Sequence, residues 1–198
     1  MKTNALPYGR ASIMGAMIFF LAIAPCVSGQ ERPIDTGRST ITIHVGKAGL
    51  LSAAGHEHWV NAPIASGSFD VTNPRVEFTV ESAKMRVKPD EKVSEKDQAQ
   101  IQKDMEEMTL DVAHYREIKF QSTRVEKTGD GQWRVDGTLS LHGATKPVTI
   151  NVTRVGEAYT GKTTLKQTDF GIKPVSVAGG TIKVKNEIDV QFMIFARQ

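Results

Sequence analysis

The chain predicts an all-β fold: an antiparallel sheet with one dry face, rolled into a barrel or stacked as a sandwich. Three observations carry that reading. Residues 181–196 (TIKVKNEIDVQFMIFA) place Ile182, Val184, Ile188, Val190, Phe192 and Ile194 on one parity and Lys183, Lys185, Glu187, Asp189 and Gln191 on the other. Successive strand side chains point to opposite faces, so this is a long strand, dry on one side and wet on the other. The same alternation recurs upstream, and short Gly- and Asp-containing turns separate the runs at hairpin spacing.

Taken in order, residues 40–45 put Ile41, Ile43 and Val45 inward, with Thr40, Thr42 and His44 outward. Residues 75–82 bury Val76, Phe78 and Val80. Residues 117–126 offer Ile118 and Phe120 before turning polar at Ser122 and Arg124. Residues 133–142 point Trp133, Val135, Leu139 and Leu141 one way, and Gly137 falls on that same dry parity. A glycine there marks a bulge or a close approach. Residues 148–153 and 158–168 continue the pattern. Asn186 is the single polar residue on the dry parity of the last strand. One segment differs. Residues 94–108 (SEKDQAQIQKDMEEM) combine a Ser94 cap, acidic residues in the first turn, and Ile101, Met105 and Met108 at helical spacing. This predicts one helix with a thin apolar stripe, lying over one end of the sheet.

Residues 1–29 stand apart. Lys2 and Arg10 form a basic region, residues 11–24 (ASIMGAMIFFLAIA) are apolar, and Val27-Ser28-Gly29 supplies small residues before Gln30. That is the pattern of a secretory signal peptide, with an apolar run short for a membrane span. Its removal leaves residues 30–198, a length suited to one domain. It also takes away the single cysteine, Cys26, so disulfide and thiol chemistry are not expected. The leader holds Lys2 and Arg10 of the 25 basic residues and none of the 22 acidic ones, leaving a net charge near +1. Nothing in that balance points to nucleic acid or an anionic membrane.

Catalytic patterns are scarce. There is no GxSxG, no nucleotide-binding glycine loop and no HExxH. The reading is a binding protein, not an enzyme, with no cofactor. Gly55-His56-Glu57-His58-Trp59 places two imidazoles at i and i+2, on one face if the segment is a strand. Such a pair can share a metal, with Glu57 orienting a ring, but a closed site wants four ligands and no second cluster supplies them. Contact with a bound ligand is the preferred role, with a metal-binding protein or enzyme built on His56 and His58 as the alternative. The inward aromatics either fill a core or line a cavity.

Three blocks then resemble a known family. Residues 111–123 (DVAHYREIKFQST), 137–148 (GTLSLHGATKPV) and 162–172 (KTTLKQTDFGI) are similar to characteristic blocks of the YceI-like family, in the same order ahead of a similar terminal strand. The resemblance runs over roughly residues 33–197. It implies an exported bacterial protein with an eight-stranded, lipocalin-like β-barrel that holds a polyisoprenoid chain in its interior. Two departures stand out. Tyr115-Arg116 replaces the family's tyrosine-proline step, and residues 47–60 (KAGLLSAAGHEHWV) carry a histidine pair, which marks a histidine-containing subgroup. Together these readings give a periplasmic or secreted protein binding a polyisoprenoid or other amphiphilic lipid, with no nucleic acid and no stable membrane span. A homodimer is left open. The candidate ligand contacts are His56, His58, Trp59, Phe78, Phe120, Trp133, Phe170, Asn186 and Phe192, with the histidine pair at the cavity mouth near the helix.

Overall fold

The computed structural model describes Met1 and residues 31–48, 57–177 and 182–197. The chain runs through β1 (Glu31–Pro33), β2 (Thr40–Ala48), β3 (His58–Asn61), β4 (Ile64–Asp70), β5 (Arg75–Glu81) and β6 (Arg86–Val87) before the helix α1 (Glu95–Asp104). It continues through β7 (Glu117–Gly129), β8 (Gln132–Leu141), β9 (Ala144–Val155), β10 (Ala158–Lys166), β11 (Ser176–Val177) and β12 (Ile182–Ile194). All pairings are antiparallel, in one sheet ordered β1-β4-β5-β7-β8-β9-β10-β12-β2-β3-β6, with β11 added on β12.

The all-β, one-helix expectation holds, but the strand count does not. The described residues form twelve strands where eight were expected. Four short ones account for the difference: β1, β3, β6 and β11 have two to four residues each. β3 and β4 are two legs of one strand bent at Ala62-Pro63. β3 pairs with β2 while β4 pairs with β5, so the bend carries the chain from one border of the sheet to the other and rolls it into a barrel. Proline has no N–H to give a ladder, which suits the corner. At the far end of the barrel Ile34 bridges to Ala196 and donates its amide to the Gly67 carbonyl (2.8 Å), tying β1 across the remaining gap.

Hairpins fix the register. At Leu141-His142-Gly143-Ala144 both central residues have positive φ (50° and 76°), the type I′ geometry that matches strand twist. The other tight turns, at Asp130-Gly131 and Gly156-Glu157, lie at the opposite end of the barrel together with the 71–74 turn. The two ends are called the helix end and the turn end below.

The helix begins as its sequence predicts. Ser94 Oγ accepts from the Asp97 amide (3.2 Å), with Glu95 and Asp97 in the first turn. It continues as a π-helical turn, Met105–Thr109. The wider i→i+5 winding shifts the phase of the stripe, so Met105 faces the barrel while Met108 is 68% exposed. No α1 side chain is buried; polar contacts hold it. Gln102 accepts from the Val87 amide (2.8 Å) and donates to the Met85 carbonyl (3.0 Å), and Arg86 reaches Glu106 (3.3 Å).

Candidate ligand cavity

Inward residues from every long strand line one cavity of about 470 Å³. Its wall is almost wholly apolar, built from residues such as Ile43, Val76, Val135, Ile150, Leu165 and Val190. The dry parities read from the sequence are the cavity wall. Aromatic rings pack along it. Phe78 stacks on Phe120 with centroids 5.4 Å apart, and Tyr159 touches both Phe69 (5.2 Å) and Trp133 (5.6 Å).

Gly137 is the close-approach point its parity suggested. A Cβ built there would lie 2.6 Å from the Phe120 ring and from the Gln121 carbonyl, and the ladder opposite slips between Ser122 and Arg124. Gly161 does the same for Phe192, whose ring would sit 2.5 Å from an added Cβ.

The helix end is closed, among the described residues, by Met85, Leu110, Phe170 and Ile172, each less than one-tenth exposed. Among the described residues the turn end is open. β5 pairs with β7 only as far as Glu77 and Gln121, whereas β7 and β8 stay paired out to Gly129 and Gln132. The β7–β8 hairpin therefore projects beyond the β4–β5 turn. Val125, Lys127 and Trp133 face the lumen from the projecting part, opposite Asp70, Val71, Pro74 and Arg75. Val71 is 51% exposed there. The rim charges are already engaged: Arg75 with Glu77 (2.6 Å), Lys127 with Asp130 (3.9 Å), and Asp70 with the amides of Thr72 (2.7 Å) and Asn73 (3.1 Å).

The three sequence blocks converge at the helix end. Asp111, at φ 44°, folds a turn that sets its carboxylate 2.7 Å from His114 Nδ1 and receives the Tyr115 amide on its carbonyl. Tyr115 lies against the His142 ring (4.3 Å) and over Gly143. His142 Nδ1 sits 3.3 Å from the Phe170 carbonyl, a bond that requires the proton on Nδ1 because a carbonyl only accepts. The turn at Gln167–Phe170 then grips β12. Thr168 donates its amide to Asn186 Oδ1 (3.0 Å), Asn186 Nδ2 donates to Thr168 Oγ1 (3.0 Å), and Gln167 Nε2 donates to the Lys185 carbonyl (2.8 Å). These bonds hold a bulge between Val184 and Ile188. They are a clamp for the closed end.

Of the sequence-derived contacts, Phe78, Phe120, Trp133, Phe170 and Phe192 line the cavity. Asn186 does not: both ends of its amide hold Thr168, so it is a clamp residue rather than a head-group contact. Trp59 does not either. Val60 takes the inward parity of β3, which sends Trp59 outward, 40% exposed and with its ring tilted against His44 (4.6 Å). His44, read as a surface residue, is the hub of that outer patch, with Nε2 3.2 Å from Glu57 and Nδ1 3.8 Å from Asp189. His58 opens β3 and is half-buried, opposite Val45, and is not among the cavity-lining residues. His56 lies outside the described residues. The open mouth is therefore at the turn end, while β3 begins near the helix end. Tyr159, Asp70, Arg75 and Lys127 were missed. Tyr159 could have been found from the parity of residues 158–168, but the rim residues depend on how far one hairpin outreaches another.

On the outer face, Thr149 donates to the Asp136 carboxylate (2.6 Å) and holds it below the usual carboxylate range. Arg134 and Arg124 pull the same way, and partial desolvation opposes them.

The sequence pattern of the YceI-like domain matches residues 33–196. A UPF0312 protein of Shewanella oneidensis is 32% identical over 179 residues, 82% of this chain and 86% of the relative. A UPF0312 protein of Pseudomonas savastanoi pv. phaseolicola is 40% identical over 93 residues, 42% of this chain and 46% of the relative, so the match spans about half of that relative's length. Among solved structures, Burkholderia cenocepacia BcnA superposes with a TM-score of 0.56 at 18% identity, covering 83% of this chain and 99% of that one. A polyisoprenoid binding domain from Saccharophagus degradans implicated in plant cell wall breakdown superposes with a TM-score of 0.58 at 12% identity, covering 85% and 98%. At such identities the likeness is one of fold, a lipocalin-like antiparallel barrel. With the match over nearly all of the described β-structure, the chain belongs to the YceI-like family.

Proposed function

We propose that the protein binds a polyisoprenoid or similarly long-chained amphiphile inside the barrel and carries or stores it outside the cytoplasm, after removal of a leader over residues 1–29. The observation that carries this reading is the apolar lumen of about 470 Å³, open at one end. At about 30 Å³ per water-sized group, that space takes roughly fifteen carbons. At about 0.8 kcal/mol per buried methylene, the gain is on the order of 10 kcal/mol before ordering costs. Family membership and the fold shared with a polyisoprenoid binding domain support the same ligand class.

The test is organic extraction and mass spectrometry of protein purified from its native envelope. A single class of chain-bearing lipid at near one per protein is the expected result. Protein that is free of lipid and fails to take up a C15 to C20 isoprenoid overturns the proposal.

A further inference from the structure

We propose that the outer face of the barrel carries a site, built around Trp59, that takes an acidic oligosaccharide, a chain of uronic acid units. The site is separate from the lumen and does not depend on what the lumen holds.

Strand pairing brings its residues together. β12, β2 and β3 lie side by side, with Gln191 opposite Thr42 and His44 opposite Trp59. Their neighbours Val190, Ile43 and Val60 line the lumen, so these four side chains leave by the outer face. Lys88, just past β6, donates its amide to the Trp59 carbonyl (2.6 Å) and so lies beside the indole. Trp59, Lys88, Gln191, Thr40 and Thr42 wall an open cleft of about 500 Å³. Phe192 borders it too, but turns its ring inward against Gly161.

Two observations point to a ligand. The indole is held in place: its ring tilts at 32° against the His44 imidazole, which sits between Glu57 (3.2 Å) and Asp189 (3.8 Å). Thr164 in turn donates to Asp189 (2.8 Å). A ring fixed in advance gives up little freedom when a ligand stacks on it. The cleft's polar groups are also uncommitted. The Thr40 and Thr42 hydroxyls and the Gln191 amide make no side-chain hydrogen bond among the described residues, whereas nearby Thr160 bonds to the Thr153 carbonyl (3.1 Å).

A pyranose has C–H groups on one face and hydroxyls around its edge. That pattern matches an aromatic plane bordered by hydroxyls and an amide. A protein partner would want a broader apolar centre than one indole supplies. Charge then selects the sugar. Among the described residues no carboxylate walls the cleft, and Glu57 and Asp189 are turned to His44. Lys88 stands at one side, and Lys162, opposite Gln191 on the β10–β12 ladder, at the other. Both are exposed, and neither is in an ion pair among the described residues. Two unmatched cations flanking a neutral polar strip suit a chain that carries carboxylates at intervals.

The experiment uses Trp133→Phe, which leaves Trp59 as the only tryptophan, so its fluorescence reads the cleft. The probes are tetragalacturonate and a hyaluronan tetrasaccharide, which differ in hydroxyl orientation, each compared with its own methyl ester. The ester keeps the rings and removes the charge. The expected result is a saturable response to at least one acid, with its ester roughly fivefold weaker, as two exposed ion pairs would give. Lys88→Gln/Lys162→Gln should bring the acid down to the level of the ester and leave the ester unchanged. Trp59→Ala, checked for an unchanged melting profile and read by calorimetry, should abolish binding of both.

An ester that binds as tightly as its acid, or an acid unmoved by the double lysine substitution, would overturn the charge selection. No saturable response to either acid, or binding that survives Trp59→Ala, would overturn the site. Self-association in sedimentation that disappears in Trp59→Ala, without sugar binding, would give the patch to a second copy of the chain instead.

Discussion

Val190→Asp tests the assignment of the two sheet faces more sharply than any other single change. Val190 lies mid-strand in β12, opposite Thr163 of β10 and Ile43 of β2, and lines the lumen between Ile188 and Phe192. A carboxylate there loses water and gains no cation. A fully buried carboxyl can rise by 3–5 pKa units, but this lumen opens to solvent and Thr163 offers a hydroxyl, so about 2 units is the working figure. At 1.36 kcal/mol per unit this is roughly 2.7 kcal/mol, and lost valine burial adds about 1 more. The total, about 4 kcal/mol, is a large part of a typical domain stability of 5–15 kcal/mol.

The pH dependence fixes the sign. The acid's folded pKa is raised above its unfolded value near 3.9, so the charge penalty is absent at low pH and grows as pH rises through the interval between the two values. Urea unfolding followed by circular dichroism should show a loss of about 4 kcal/mol at pH 7.5, shrinking to about 1.5 kcal/mol at pH 4. Val190→Asn should lose a smaller, pH-independent amount. Gln191→Asp, one residue along on the exposed face, should stay within about 0.5 kcal/mol of the parent. A Val190→Asp protein that unfolds like the parent, or a Gln191→Asp protein that loses more, would refute the face assignment.

Gln102→Ala should loosen α1 from β6, because one side chain serves the Val87 amide, the Met85 carbonyl and Glu106. Hydrogen exchange should speed up at Val87 while global stability falls by about 1 kcal/mol. Thr149→Val removes the leading cause of the lowered Asp136 pKa and should move it back toward the ordinary value in a carboxyl NMR titration. As a depressed folded pKa contributes stability that is lost when pH falls through it, the variant should also lose less stability than the parent on acidification. Gly161→Ala should cost about 1–3 kcal/mol through overpacking and weaken uptake of a C15 chain, read by Trp133 quenching, because Phe192 must swing toward the lumen.

Much of the barrel was legible because alternation is a local signal. Ile41 and Ile43, Val76 and Val80, Trp133 and Val135, Ile188 and Val190 all face the cavity as their parities require. The β3–β4 strand was not legible, for a physical reason. Ile64 and Phe69 are both buried although they are an odd number of residues apart, which a regular strand forbids. A register slip between Ile64 and Ser66 reverses the parity midway, so no alternation survives in the sequence. Trp59, counted among the aromatics that could line a cavity, faces outward because its neighbour Val60 holds the inward position opposite Ile43. Asn186 was correctly seen as anomalous on a dry parity. Its partner Thr168 lies eighteen residues away, across a bulge that only the folded chain defines.

Why the barrel is hollow follows from two glycines and the rings that cover them. A small β-barrel is only just wide enough for side chains to fill its interior, so large inward aromatics would normally plug it. Here Phe120 does not reach for the axis. It leans diagonally across the β7–β8 ladder onto Gly137, while Phe192 folds onto Gly161 directly opposite on β10. With no Cβ at either glycine, the far edge of each ring rests where that Cβ would stand. That arrangement covers exposed strand backbone and keeps the ring out of the centre. The same two glycines that weaken a strand by local propensity therefore leave open the volume proposed for a ligand chain. Strand stability is given up at positions 137 and 161, and the apolar lumen is what the fold gains.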